Sequence, residues 1–310
     1  MTWLIDTLIV TGALILVVLL LRRPVARHFG PAVAYALWLL PMLRLILPPL
    51  VLPAPELPRE ATVVPVFASV PDAAVSAAAA PAWTPAIPVA ALLQAVWLAG
   101  MLTYLAWRAS GYARMRRELL ENARPVGEAG EVRLVESPAA GSPIAFGLRD
   151  KVVALPPGFM DSRDLAARDL AIAHELEHHA GRDLYVNIAV QPLLALHWFN
   201  PLAWLAWVAL RRDQEAACDA RVLAGRDLRT RAVYGRLIAG FAARRAPMPV
   251  HALAAPMVSR GLLVPFLGDK SIIHRLRSLT MSEPTLRRRI VGRTLIAAGA
   301  LALPLTATVT

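Results

Sequence analysis

The sequence predicts a mainly α-helical membrane protein with four transmembrane helices and a cytoplasmic α+β domain. Apolar residues make up 57% of its 310 residues, and the mean hydropathy is +0.51. Four apolar runs, at 3–21, 32–50, 88–107 and 290–309, are long enough to cross about 30 Å of hydrocarbon as helices. The charged sequence between the last two runs alternates between helix-like and strand-like patterns. We therefore expect a small sheet and several helices there.

The distribution of basic residues orients the predicted spans. Arg22, Arg23 and Arg27 follow the first run, whereas 51–87 contains only Arg59. Since cytoplasmic loops are the more basic ones, the N-terminus is expected outside. No small-residue cleavage site follows the first run, so it is not predicted to be a cleaved signal peptide. The expected location is a bacterial-type inner membrane, with 27 of the 33 Lys and Arg residues in a cytoplasmic segment.

These boundaries give the predicted organisation. Transmembrane helices 1 and 2 lie within residues 1–52, and a Pro- and Ala-rich extracytoplasmic loop follows at 53–87. The third transmembrane helix spans 88–107, the cytoplasmic domain spans 108–289, and the fourth transmembrane helix spans 290–309. The formal net charge of +11 would also suit a nucleic-acid partner. However, basic clusters adjoin the predicted spans, where they would contact anionic lipid. We therefore expect the lipid bilayer as a partner and no direct nucleic-acid binding.

Local patterns predict the elements of the cytoplasmic domain. They are a charged helix at 110–124, short strands at 131–135, 144–147 and 151–155, and a helix that starts near Asp161 and Ser162. The apolar stretch 186–210 is not counted as a fifth span, because a single crossing would place residues before and after it on opposite sides. Its break at 197–201 predicts a helical hairpin, packed in the core or dipping into the bilayer. The only cysteine, Cys218, is interpreted as a small packed side chain.

The strongest chemical signal is His-Glu-Leu-Glu-His at 174–178. Residues four apart on a helix project from one face, so His174 and His178 can bind one metal ion. Glu175 is angularly displaced from them, which suits a general base that takes a proton from the attacking water. Glu177 and His179 point elsewhere and are interpreted as surface or packing residues. The motif predicts a zinc (Zn2+) site.

A catalytic zinc site normally has three protein ligands. Glu215 and Asp219 stand four apart on a predicted helix that begins at Asn200 and Pro201. Glu215 is the predicted third ligand, and Asp219 is predicted to accept the second N–H of a ligand histidine. The alternative is a solvated helix face with two charges. Asp183 is interpreted as a cap of the next helix.

The chain resembles the BlaR/MecR-type integral membrane zinc metallopeptidases, relatives of the β-lactam-sensing antirepressors. The resemblance rests on the order of spans and on Ser-Pro-Ile-Ala-Phe-Gly-Leu (142–148), Val-Val-Ala-Leu-Pro (152–156), His-Glu-Leu-Glu-His-His-Ala-Gly-Arg-Asp (174–183), His-Trp-Phe-Asn-Pro-Leu (197–202) and Glu-Ala-Ala-Cys-Asp (215–219). It implies a cytoplasmic gluzincin domain, with zinc held by His174, His178 and Glu215 and with Glu175 as catalytic base. It also implies signal transduction by cleavage of a cytoplasmic repressor, sometimes with self-cleavage, for which 275–282 is a candidate segment.

Several expectations accompany this resemblance. Segment 142–148 is expected to pair edgewise with an extended substrate. The family's antibiotic receptors carry a C-terminal sensor domain that this sequence lacks, so the chain is either truncated or receives its signal through a separate sensor or a homo-oligomer. One alternative function is an HtpX-like quality-control peptidase that degrades many membrane proteins. Another is a non-catalytic receptor in which zinc only stabilises the helices.

Overall fold

A computed structural model shows a mostly helical fold with one small mixed sheet. It describes residues 2–47, 89–243, 254–256, 275–276, 279 and 284–303; the loop predicted at 53–87 and the end of the fourth predicted span lie outside them. The helices are α1 (Thr2–Phe29), α2 (Pro31–Ala36), α3 (Leu39–Ile46), α4 (Val89–Leu120), α5 (Leu165–Ala180), α6 (Asp183–Ala189), α7 (Gln191–Leu196), α8 (Pro201–Val222), α9 (Leu228–Ala243) and α10 (Leu286–Ala302). The strands are β1 (Arg124–Ala129), β2 (Val132–Glu136), β3 (Ile144–Phe146), β4 (Lys151–Leu155) and β5 (Ala255–Pro256).

Two of the described helices, α1 and α4, are long and apolar enough to cross a membrane. Within the most apolar window of α4, only 6% of the residues are buried by protein, so this surface needs an apolar environment from elsewhere. The predicted second span instead forms α2 and α3 with a turn between them. In the region of the predicted fourth span, α10 has 17 residues. That the chain crosses the membrane four times, with its N-terminus outside, remains a prediction.

Helix α4 joins two elements that the sequence predicted separately. The predicted span at 88–107 and the predicted separate helix at 110–124 form one continuous helix, Val89–Leu120. The only weak helix former at the junction is Gly111, which a helix interior tolerates at a cost of about 1 kcal/mol. Because Met115 and Leu119 are buried against the sheet, α4 connects the apolar region directly to the sheet.

The sheet has the strand order β1-β2-β4-β3-β5. The three predicted strands are confirmed as β2, β3 and β4, with β2 parallel to β4 and β3 antiparallel to it. Strand β1 was missed because Pro125 and Gly127 interrupt its pattern, and β5 because it has only two residues. The edgewise substrate pairing expected at 142–148 is blocked at Ile144 and Ala145, because β3 pairs there with β5 on one side and with β4 on the other.

The apolar hairpin is confirmed, with its first arm divided into α6 and α7. Asn200 caps α8 by accepting a hydrogen bond from the Leu202 N–H, and Pro201 occupies the first turn, as the sequence indicated. The arms pack against α1, α3 and α4 in one apolar cluster that includes Ile15, Tyr104 and Leu194. The predicted start of the preceding helix was early: α5 begins at Leu165, with Asp164 as its cap.

A buried ion pair joins the first helix to the second arm of the hairpin. Arg22 of α1 donates to both carboxylate oxygens of Asp213 on α8, at 2.7 and 2.8 Å. The Trp38 indole N–H donates to the same carboxylate at 2.9 Å. Arg22 is 6% exposed and Asp213 3% exposed. Each charge therefore relies on the other, because water does not solvate either of them.

We expect Arg22→Met to lower the free energy of unfolding by about 3–5 kcal/mol, because it leaves Asp213 buried without its cation. The neighbouring Arg23 is exposed, so Arg23→Met is the matched control and should have little effect. The measurement is denaturant unfolding of both variants in the same detergent. Equal stability of the two variants would show that the pair is not important for folding.

Candidate metal centre

Helix α5 places the three polar residues of the HExxH motif inside the protein. His174, Glu175 and His178 each have 0% exposure. Because the two histidines are one turn apart on the same face, their Nε2 atoms lie 3.2 Å from each other. The two imidazole rings therefore face a common point.

Helix α8 brings Glu215 to this point. One Glu215 oxygen lies 3.5 Å from His174 Nε2, and the other lies 3.7 Å from His178 Nε2. Small buried residues on both helices, Ala171 on α5 and Cys218 on α8, pack in one cluster and permit the close approach. The alternative of a solvated helix face is wrong, since Glu215 is 0% and Asp219 1% exposed.

The three side chains fit a zinc ion. Ligand bonds of about 2.0–2.2 Å in a tetrahedral arrangement separate the ligand atoms by about 3.3–3.6 Å. The separations among the two Nε2 atoms and the Glu215 oxygens, 3.2, 3.5 and 3.7 Å, are close to this range. Neither carboxylate oxygen of Glu215 has a hydrogen-bond partner among the described residues. Two guanidinium groups lie nearby, Arg275 at 3.2 Å from one Glu215 oxygen and Arg211 at 3.7 Å from the other, so the carboxylate has cations close to it while its oxygens remain free of hydrogen bonds in the described part of the chain.

The protonation states also suit a metal. Burial lowers the pKa of His174 and so keeps its imidazole neutral. Burial alone would raise the pKa of Glu215, but the guanidinium of Arg275, 3.2 Å away, and the two histidines hold it well below its ordinary value. Neutral imidazoles and an ionised carboxylate are the forms that bind zinc.

A second set of donors involves Cys218. One donor atom from each of His174, His178 and Cys218 lies within 4.8 Å of the others. However, the Cys218 sulfur lies 3.5 Å from Nδ1 of His174, on the side of the ring opposite to Nε2. Burial also raises the pKa of the thiol well above its ordinary value. Glu215 is thus the better third donor, and packing is the better interpretation of Cys218.

Asp183 fixes the orientation of His178. The Asp183 carboxylate accepts a hydrogen bond from His178 Nδ1 at 2.7 Å, which leaves the Nε2 lone pair free. Arg221 donates to the same carboxylate and to Glu177. The expected role of Asp183 as a helix cap is wrong: Arg182, with φ 58°, occupies the cap position, and the carboxylate of Asp183 turns back to the preceding helix.

A tyrosine stands where Asp219 was expected. Asp219 lies 3.5 Å from His174 Nδ1, too far for a good hydrogen bond. The Tyr234 hydroxyl lies between them, 2.7 Å from each. Because the hydroxyl donates to Asp219, its oxygen accepts from His174 Nδ1–H, and Nε2 again stays free. Asp219 in turn accepts hydrogen bonds from Arg275 at 2.6 and 2.8 Å.

The sequence missed three supporting residues, for different reasons. Asp183 lies only five residues after His178, so its role could have been found from its place just past the helix end. Tyr234 and Arg275 are 60 and 101 residues from His174, and no local pattern marks either of them. By contrast, the interpretation of Glu177 and His179 is confirmed: Glu177 pairs with Arg221, and His179 contacts the Val152 carbonyl.

Glu175 is a buried acid without hydrogen-bond partners. Neither of its carboxylate oxygens has one among the described residues. Burial, reinforced by the nearby Glu215 carboxylate, raises its pKa well above the ordinary value. A carboxyl group with a raised pKa takes up a proton more readily than an ordinary one and can release it again, as general acid–base catalysis requires.

We expect Tyr234→Phe to weaken zinc binding by about 10–100-fold, because it removes the hydroxyl that orients His174. Tyr185→Phe is the matched control: its hydroxyl donates to the Leu148 carbonyl at an exposed position. Competition with a chelator measures the affinity, and circular dichroism shows whether the variants keep their helices. Equal affinities of the two folded variants would rule out the orienting role.

Comparisons with known proteins agree with this geometry. The chain matches the family described as BlaR1 peptidase M56 over residues 2–261. It is 33% identical over 112 residues to the regulatory protein BlaR1 of Bacillus licheniformis, which covers 36% of this chain and 18% of that protein. It is 29% identical over 82 residues to the methicillin resistance mecR1 protein of Staphylococcus aureus, which covers 26% of this chain and 14% of that protein.

The matched stretches thus span less than a fifth of the length of these curated relatives. The family match covers most of this chain and includes α1, α4 and the four residues His174, Glu175, His178 and Glu215. The chain therefore belongs to the BlaR1 peptidase M56 family of metallopeptidases.

Proposed function

We propose that the chain is a membrane-embedded zinc metalloendopeptidase that transduces a signal by cleaving a cytoplasmic repressor-like protein, itself, or both. The observation that carries this proposal is the triangle of His174, His178 and Glu215 beside the buried carboxyl group of Glu175, for whose oxygens the described part of the chain supplies no close hydrogen-bond partner. Structural zinc sites are closed by four protein ligands, whereas three ligands beside a general base are typical of hydrolytic zinc sites.

The proposed mechanism assigns one role to each residue. His174, His178 and Glu215 would hold the zinc ion, which when bound supplies Lewis-acid chemistry to activate water and polarise a peptide carbonyl. Glu175 takes the proton from the attacking water and later delivers it to the leaving amine. Asp183 and Tyr234 keep the two imidazoles in the tautomer whose Nε2 faces the ion.

The regulatory part of the proposal is supported by family membership and by the names of the relatives, one of which is called a regulatory protein. The membrane part is supported by α1 and α4, whose apolar surfaces protein leaves largely uncovered. A separate sensor or a homo-oligomer would supply the signal. The HtpX-like alternative shares the chemistry and differs in its range of substrates, whereas the receptor alternative lacks the chemistry.

We expect Glu175→Gln to abolish proteolysis while zinc stays bound, because the amide cannot accept the proton. Glu215→Gln should reduce the zinc content, whereas Cys218→Ser should retain it. Glu131→Gln, at an exposed surface ion pair with Lys151, is the control for activity. Metal analysis and cleavage of a quenched peptide pool by the full chain are the measurements. A fully active Glu175→Gln enzyme would favour the non-catalytic receptor.

The range of substrates separates the two peptidase functions. Membranes that contain wild-type protein or the Glu175→Gln variant are compared by sequencing new protein N-termini. A regulator should yield a few new termini, in one cytoplasmic protein or in the chain itself. Many new termini in unrelated membrane proteins would instead identify a quality-control enzyme.

The raised pKa of Glu175 predicts the acid side of the pH profile. The carboxylate is the active base, so kcat/KM should fall as the pH drops through this pKa, with a midpoint above the ordinary value of 4.5. Zinc content is measured at each pH, because burial lowers the pKa of His174 and so opposes the loss of this ligand by protonation. An activity loss that merely follows zinc release would contradict this assignment.

A further inference from the structure

The tip of the apolar hairpin contacts both candidate membrane spans, α1 and α4. We propose that the hairpin of α7 and the first half of α8 is re-entrant: its tip, residues 196–200, lies among lipid acyl chains near mid-membrane, and the metal centre lies at the membrane surface. This inference rests on the proposed membrane embedding of α1 and α4. It does not depend on peptidase activity.

Helix α1 provides the first measure of depth. At its basic end, Arg22 holds Asp213 of α8, while Arg23 and Arg27 are exposed. Eleven residues earlier, Thr11 Oγ1 lies 2.7 Å from Nε2 of His197 at the hairpin tip. At 1.5 Å per residue, the tip is about 16 Å along α1 from the arginine. That is about half of a 30 Å hydrocarbon core.

Helix α4 gives the same depth independently. Arg108 of α4 donates to Gln191 at the start of α7, at 2.8 Å. Eleven residues earlier, Trp97 donates to the Leu196 carbonyl and accepts from the Trp198 indole N–H. The tip is therefore again about 16 Å from the arginine. Both spans place it at the same level, although their sequences are unrelated.

A close contact fixes the tip against α4. A Cβ atom added at Gly100 would lie 2.2 Å from the Trp198 ring, so only glycine lets this indole approach the α4 backbone. The contact lies one helical turn from the Trp97 hydrogen bonds. It holds the tip at the level that those bonds indicate.

The composition of the hairpin agrees with this depth. Between Asp183 and Arg211 the chain has no Asp, Glu, Lys or Arg over 27 residues. At the tip, Phe199 is 53% exposed, and Leu205 on α8 is 38% exposed. These apolar side chains continue the uncovered surfaces of α1 and α4, so the occupant that fits them is lipid. The tip backbone remains tolerable there because it packs on protein.

The location of the metal centre follows from the geometry of α8. Glu215 comes two residues after Asp213, which lies at the level of Arg22. The centre therefore lies within about 3 Å along the axis of the boundary that the arginines mark. A peptide bond cleaved there would belong to a segment held close to the cytoplasmic lipid headgroups.

Spin-label accessibility tests the proposal on the full chain in lipid bilayers. The native Cys218 is buried, so single cysteines at Phe199 and Leu205 can be labelled selectively. Leu16→Cys on α1, 44% exposed, is the lipid control, and Leu228→Cys, 84% exposed, is the water control. The measured quantities are collision rates with oxygen, which enriches in acyl chains, and with a water-soluble nickel chelate.

We expect the Phe199 label to lie deeper than the Leu16 label, which is six residues or about 9 Å from Arg22 along α1. Its nickel collision rate should be several-fold below that of Leu228, and the Leu205 label should lie at a shallower depth than the Phe199 label. A Phe199 label as accessible to nickel as Leu228 would overturn the proposal, as would one hidden from both reagents by a protein partner. If Leu16 itself proves water-exposed, the membrane embedding of α1 fails as well. Retained zinc in each labelled variant shows that the fold is intact.

Discussion

The contact between α5 and α8 is the constraint on which the site depends. Two histidines on α5 supply only part of a metal centre, and the remaining donor comes from a helix that begins after an apolar hairpin. Small side chains at the contact, such as Ala171 and Cys218, allow the helices to approach until Glu215 lies near both imidazoles. A larger side chain at any of these positions would separate the donors, since packed interiors have little room for added volume.

Burying this many ionisable groups is unfavourable unless each is paired. Asp183 and Tyr234 serve the two imidazoles, and Arg275 neutralises Asp219 and Glu215. The carboxylates of Glu215 and Glu175 remain without hydrogen bonds among the described residues. Buried carboxyl groups without hydrogen bonds are typical of sites where function requires them. Among the described residues, the proposed ligand and the proposed base are thus the two buried acids with no hydrogen bond to either carboxylate oxygen.

Helix α8 also connects the centre to the apolar part of the protein. Asp213 holds Arg22 of α1, and the amide of Gln214 donates to the Tyr35 hydroxyl of α2 and to the Asp183 carbonyl. The next residue is Glu215. Three consecutive side chains therefore contact α1, α2 and the metal centre. A shift of either apolar helix would reach the centre through one turn of α8, without an intervening loop.

The sequence by itself determined the candidate metal-site residues: the helical spacing of His174 and His178 and the polar pair at 215 and 219 depend only on helix periodicity. Three strands and the hairpin break also follow from local patterns and turn residues. Only the tertiary structure decided which atoms meet. Tyr234 and Arg275 carry no local signal because their roles arise from packing between distant segments. The interior position of β3 and the continuity of α4 likewise depend on neighbours that periodicity cannot identify.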